Sequence, residues 1–229
     1  MFHKCSISQE MIDAALRGDI LKIQKLLSEG ASIDSRDLLN RTPLHWAAGE
    51  GKEEAVSFLL ENGAQINALD DDAWTALHFA SDSGFEGIAS ILVSHGANLD
   101  QRDWSGKTPL HTACAKGRQS VILFLLKNGS QVNQEDKTGW TPLFWAAVKE
   151  YEEIVRILIS FGADVNHSDK DGRTLLHFLA YSGEFALSRF LVEQGACINV
   201  KSNNEMTPYE MALRNGHQDI AEYFIRKTL

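Results

Sequence analysis

The sequence predicts an all-α solenoid of helix-turn-helix units joined by β-hairpin-like loops. Three observations predict it. Thr-Pro-Leu-His at Thr42 to His45 returns in variants that begin at Thr75, Thr108, Thr141, Thr174 and Thr207, each step being 33 residues. A glycine followed by a small residue keeps the same beat at Gly30, Gly63, Gly96, Gly129, Gly162 and Gly195. No insertion or deletion breaks the register. A fixed period of this length marks a repeat architecture, in which each unit buries its apolar face only against its neighbours. One domain over residues 1–229 is therefore expected.

The first unit, 1–36, is expected to be a capping repeat. Ala14-Ala15, Gly18 and Leu26-Leu27 align with Ala47-Ala48, Gly51 and Leu59-Leu60, while Gln9-Glu10-Met11-Ile12 replaces the Thr-Pro-Leu-His motif. Five full repeats follow over 37–201. In residues 37–69, Thr42 is placed to cap a first helix and Pro43 sits where a missing N–H costs nothing. Leu44, Ala47 and Ala48 fall at helical spacing, and Gly51 breaks that helix. Glu53 and Glu54 open a second helix at the positive end of its dipole. Val56, Leu59 and Leu60 give its apolar stripe, Asn62-Gly63 ends it, and Ile66 is expected as a buried anchor before the loop. The last unit, 202–229, stops after its second helix and reads as the other cap. Gly106, Gly139 and Gly172 occupy a turn position that calls for positive φ. Asn40 tolerates it, whereas Ala73 and Glu205 there should cost roughly 1 kcal/mol each.

This unit resembles the repeat of the ankyrin family, and the resemblance covers nearly the whole chain. It implies a concave face built from loop tips and first helices that binds protein partners. Positions that vary on that face are then candidates for binding. One column follows the motif histidine and holds Trp46, Phe79, Trp145 and Phe178. Another precedes the motif threonine and holds Trp74, Lys107, Trp140 and Arg173. Leu38, Leu39 and Trp104 lie at loop tips, and Lys137, Lys149, Lys170 and Tyr181 complete the candidate set. All five tryptophans of the chain fall in these places. A Trp buried at an interface contributes about 150–250 Å² of surface, enough for a binding hot spot. Charge is sorted as well, with Glu50, Asp70, Asp71, Asp72 and Asp82 early and Lys116, Lys201 and Arg214 among the later cations. A polarised face of this kind would steer and orient a partner.

Three narrower roles also follow from resemblance. Length, seven repeats and two caps are similar to the gankyrin-like chaperones of the proteasome regulatory particle. Trp140 to Trp145, with Phe178 and Tyr181, resembles the aromatic cage of methyl-lysine readers, although Val148 stands where those carry an acid. Asn67, Asn133, Asn166 and Asn199 each follow a leucine by eight residues, the arrangement that ankyrin repeats offer to an asparaginyl hydroxylase.

Catalytic signatures are absent. His45, His78, His111 and His177 stand one per repeat, about 10 Å apart for packed helices, too far to share an ion through ~2 Å bonds. They are expected to bridge adjacent turns by hydrogen bonds. Ser105-Gly106-Lys107-Thr108 copies the end of a phosphate loop, but Gln101 stands where the motif needs glycine. No cofactor, metal or enzymatic activity is expected.

The formal charge of −9 argues against nucleic acid and anionic membrane as partners, since both need a basic surface. Cys5, Cys114 and Cys197 are too few and uneven for a disulfide framework and fit a reducing compartment. No stretch reaches the ~18 apolar residues of a spanning helix, and the start lacks a signal peptide. Cytoplasm or nucleus is the expected location, a monomer the expected state, and the sequons at Asn40 and Asn128 read as chance.

Overall fold

The computed structural model describes residues 2–228, with side chains from Ile7 to Lys227; the Cys5 side chain lies outside that range. Among the described residues the chain forms fourteen α-helices and no strand; one isolated antiparallel bridge joins Ser168 and Thr174. It divides into two compact units, one ending at Gln131 and the other beginning at Val132.

The first unit holds α1 (Phe2–Arg17), α2 (Ile20–Ser28), α3 (Pro43–Gly49), α4 (Glu53–Glu61), α5 (Ala76–Ser83), α6 (Glu86–Ser94), α7 (Pro109–Lys116) and α8 (Gln119–Lys127). Odd-numbered helices pack side by side in one layer and even-numbered helices in a second. The second unit repeats the plan with α9 (Pro142–Val148), α10 (Glu152–Ser160), α11 (Leu175–Ser182), α12 (Phe185–Glu193), α13 (Pro208–Arg214) and α14 (Gln218–Thr228).

Helices of seven to nine residues would be marginal alone; packing and caps hold them. Leu44, Leu77 and Leu110 in one unit, and Leu143 and Leu176 in the other, are no more than 1% exposed. Ala47, Ala80 and Ala113 between them bring the first helices close together, as small side chains allow. From α4 on, each second helix buries positions i, i+1 and i+4, such as Ala55, Val56 and Leu59, or Val121, Ile122 and Leu125. Thr42 is the N-cap of α3, with Pro43 in its first turn. Gly63 has φ 88° and closes α4, its N–H bonding the carbonyl of Leu60. Ile66, expected to be buried, is only half-buried, because the loop carries it beyond the helix layers.

The turn column behaves as its residues dictate. Gly106, Gly139 and Gly172 have φ of 84°, 86° and 70°, and Asn40, Ala73 and Glu205 are held at 56°, 59° and 58°. A second column extends the helix break read at Gly51 and Gly18. Gly18, Gly51, Gly84, Gly117, Gly183 and Gly216 all have positive φ where a first helix ends, but the equivalent residue after α9 is Glu150, at φ 61°.

Candidate functional site

Five aspartates build the loops that carry the candidate residues. Asp37, Asp70, Asp103, Asp136 and Asp169 recur at the repeat interval, and one oxygen of each accepts the N–H groups two and four residues on. In Asp70 these are Asp72 N at 3.0 Å and Trp74 N at 2.8 Å; in Asp136 they are Thr138 N at 2.8 Å and Trp140 N at 3.0 Å. This is an Asx turn, in which a short side chain replaces a backbone acceptor. Neighbouring tips are joined through their backbones, Asp71 N donating to Leu39 O and Trp104 N to Asp72 O in the first unit. Lys170 N donates to Thr138 O, and Asn203 N to Asp171 O, in the second.

The other oxygen of each aspartate is taken by a residue of the two variable columns. In the first unit, Trp46 Nε1 donates to Asp37 at 2.9 Å, Trp74 Nε1 to Asp103 at 3.1 Å, and Arg41 pairs with Asp70 at 3.5 Å. In the second, Trp145 Nε1 donates to Asp136 at 2.9 Å and Arg173 grips Asp169 at 2.8 Å. The tryptophans are thus locked by their polar ends, while half-buried rings remain on the surface. The sequence signal for this, an aspartate every 33 residues, was available.

Rings then pack on rings. Trp74 lies edge-on to Phe79 with centroids 5.2 Å apart and stacks on His78 at 5.8 Å. The Arg41 guanidinium lies 5.3 Å from the Trp46 ring and 5.2 Å from Phe79. In the second unit Trp140 meets both Trp145 and Phe178 at 5.2 Å, and Arg173 lies 4.7 Å over Phe178. Arg173 also pairs with Asp171 at 2.6 Å. Lys137, Trp140, Trp145, Lys170 and Arg173 line a groove of about 480 Å³.

The remaining candidates spread around these clusters. Leu38 is 100% exposed and Trp104 66%, so their side chains face water. Leu39 is exposed at the tip beside Leu38, and Tyr181 is exposed at the end of α11. Lys107 is half-buried in its turn, with its N–H on Asp103, and Lys149 is exposed just past α9. Much of the charge sorted along the sequence is engaged internally. Asp70 is buried in its turn, Asp82 pairs with Lys116 at 3.2 Å, and Lys201 pairs with Glu205 at 2.9 Å. What the tips present to water is Asp71 and Asp72 in the first unit, and Lys137, Lys170 and the Arg173-paired Asp171 in the second.

The histidines do what bridging requires. His45 Nδ1 accepts the Thr42 N–H at 2.9 Å, so Nε2 carries the proton and donates to Ala68 O at 3.0 Å. His78 reaches Lys107 O and His177 reaches Met206 O in the same way. Burial, outweighing these backbone bonds, lowers the pKa of His45 and His177 and takes His78 down to about 4. Phe144 replaces the histidine in one repeat, and the buried Thr141 hydroxyl is left without a partner. Among the described residues there is no cluster of three metal-ligating side chains and no helix long and apolar enough to cross a membrane.

The four asparagines sit where repeats are strapped together. Asn67 Oδ1 accepts Asn98 N at 2.9 Å. Asn133 accepts Asp164 N and donates to Gly162 O, and Asn166 accepts Cys197 N and donates to Gly195 O. Asn199 is exposed in the corresponding loop.

Comparison with known proteins agrees with this architecture. A family model described as ankyrin repeats in three copies matches residues 11–103, 100–169 and 161–228. No curated protein matches. The crystal structure of the ankyrin repeat domain of Bcl-3, described there as a unique member of the IkappaB protein family, superposes with a TM-score of 0.85. It is 27% identical over 95% of this chain and 97% of that one. With 626 solved chains matching in all, the fold alone selects no partner. From the repeat, the loop chemistry and the family match together, the chain belongs to the ankyrin-repeat family, whose members serve in general as protein–protein interaction modules.

Proposed function

We propose that this chain is a non-enzymatic binding module that takes a partner protein or linear peptide on the faces built by its loop tips and first helices. The observation that carries the reading is the placing of the aromatics. No tryptophan is among the buried core residues, so the fold does not require tryptophan at a tip, yet Trp104 stands there two-thirds exposed. Indole locking by the turn aspartates supports it further. A ring held before the partner arrives loses little freedom on binding, which is how preorganisation raises affinity. The exposed lysines beside the groove of the second unit favour a partner with carboxylates near its apolar anchors.

A linear peptide is favoured over a methylated lysine at Trp140, Trp145 and Phe178. Those rings are spent on one another, and Arg173 already lies over Phe178. A chaperone role on the proteasome and hydroxylation of Asn67, Asn133, Asn166 or Asn199 are finer readings of the same module. An intact-mass shift of one oxygen in protein from cells would carry the second.

Affinity purification from lysate tests the reading. Trp104→Ala and the pair Lys137→Ala/Lys170→Ala leave every hydrogen bond described above in place. A partner retained by wild type and lost by either variant would support binding through these faces. Equal capture by all three proteins would oppose it.

A further inference from the structure

We infer that the second unit carries a pocket for a cationic side chain, an arginine or lysine of a partner segment, where α9 ends beside α11 and the start of α12. It goes beyond the aromatic-face reading, since none of Trp140, Trp145, Lys137 or Lys170 lines it. The pocket encloses about 190 Å³, walled by Val148, Phe178, Leu179 and Tyr181 and rimmed by Glu150 and Glu184. Val148 and Tyr181 are 40% and 60% exposed, so these two sides of the apolar wall are open to water, while Leu179 at its base belongs to the core.

Two departures from the repeat make this pocket. At the end of the other first helices a glycine takes the left-handed turn, and at Gly18, Gly51, Gly84 and Gly183 the residue 34 positions on packs over it. Phe85 covers Gly51, Arg118 covers Gly84 and His217 covers Gly183. Glu150 stands in the glycine column and Glu184 holds the same offset, so at this one junction two carboxylate side chains line the same pocket. Neither makes an ion pair among the described residues, and Arg173, the cation that shares Phe178, is engaged by Asp169 and Asp171. Lys149 is exposed beside α9 and does not line the pocket.

The chemistry of the walls and rim selects the occupant. A methylene stem fits along Val148, Leu179 and Phe178 while its charged end reaches the rim. The exposed Tyr181 ring offers a cation an aromatic surface. A positive group at the rim meets the two carboxylates of Glu150 and Glu184 with opposite charge. A neutral apolar side chain gains nothing from that rim, and an acidic one would be repelled by it.

The test is an NMR titration of the whole chain with N-acetyl-arginine amide and N-acetyl-lysine amide, and with N-acetyl-norleucine amide as a neutral match. The amides of residues 148–151 and 178–184 should shift saturably with a cationic probe. Its affinity should exceed that of norleucine amide by roughly fivefold, as one exposed charge contact gives. Glu150→Gly restores the residue that other repeats use, so it folds, and it should lose that preference; Glu184→Gln should weaken it. Absence of saturable shifts, equal binding of norleucine amide, or full retention in Glu150→Gly would each overturn the proposal. The reading at Trp104, Lys137 and Lys170 would be untouched by that result, because none of them lines the pocket.

Discussion

Asp136 accepts the indole N–H of Trp145 at 2.9 Å while its other oxygen holds Thr138 and Trp140. One carboxylate therefore fixes both the shape of a loop and the angle of a ring on the candidate binding face. The same arrangement ties Trp46 to Asp37 within its own repeat and Trp74 to Asp103 of the next. Loop shape and ring placement are coupled through these bonds.

That coupling has a pH signature. Burial pushes the Asp136 carboxyl up, but the bonds from Thr138, Trp145 and the backbone outweigh it and leave the pKa below its ordinary value of 3.8. The charged form is the one that folding favours, so this stability is present above the ordinary value and is lost as pH falls through the lowered one. Trp145→Phe should raise the Asp136 pKa toward 3.8, seen by carboxyl carbon NMR, and cost about 1 kcal/mol at neutral pH. An unchanged pKa would mean that the indole bond contributes nothing.

The histidine bridges titrate in a second window with the opposite charge chemistry. Folding holds His78 neutral, so the unfolded chain binds the proton first. Stability is full above about pH 6.5 and falls as pH drops toward about 4, by up to ~3 kcal/mol. Urea unfolding at steps across that window should show the decline, and His78→Gln should flatten part of it. A stability flat from pH 7 to 4 would contradict the bridge.

Backbone strain predicts which substitutions stabilise. Ala73 and Glu150 sit at φ 59° and 61°, so Ala73→Gly and Glu150→Gly should each raise the unfolding free energy by about 1 kcal/mol. Gly51→Ala should lower it by more than that, because a Cβ there would lie 2.9 Å from Phe85. Denaturant midpoints of the three variants order them directly.

The missing histidine at Phe144 separates two threonines of identical backbone role. Thr42 gives its side chain to His45, so Thr42→Val should cost about 1 kcal/mol. The Thr141 hydroxyl is buried without a partner, so Thr141→Val should be neutral or slightly stabilising. Equal losses at both sites would refute the assignment.

The helix pairs, caps and turn glycines were legible because each follows from a local rule applied at a fixed period. Thr42, Pro43 and Gly63 needed nothing beyond their own repeat. The locking of Trp74 by Asp103 was not legible, since it joins one repeat to the loop of the next and depends on where an indole points. Asp70 read as a surface charge for the same reason: its Asx turn buries it. Glu150 was passed over because a glycine column with one exception looks like noise until its φ is seen. The pocket between α9, α11 and α12 depends on residues from two repeats, and no single-repeat pattern contains it.

The central claim is that loop tips and first helices are the binding surface. Hydrogen–deuterium exchange of the chain, alone and with a captured partner, tests it most directly. The account predicts protection at 37–41, 71–74 and 103–107 in the first unit or at 137–145 and 170–181 in the second. Protection confined to the second helices, such as α4 and α10, with those segments unchanged, would contradict it.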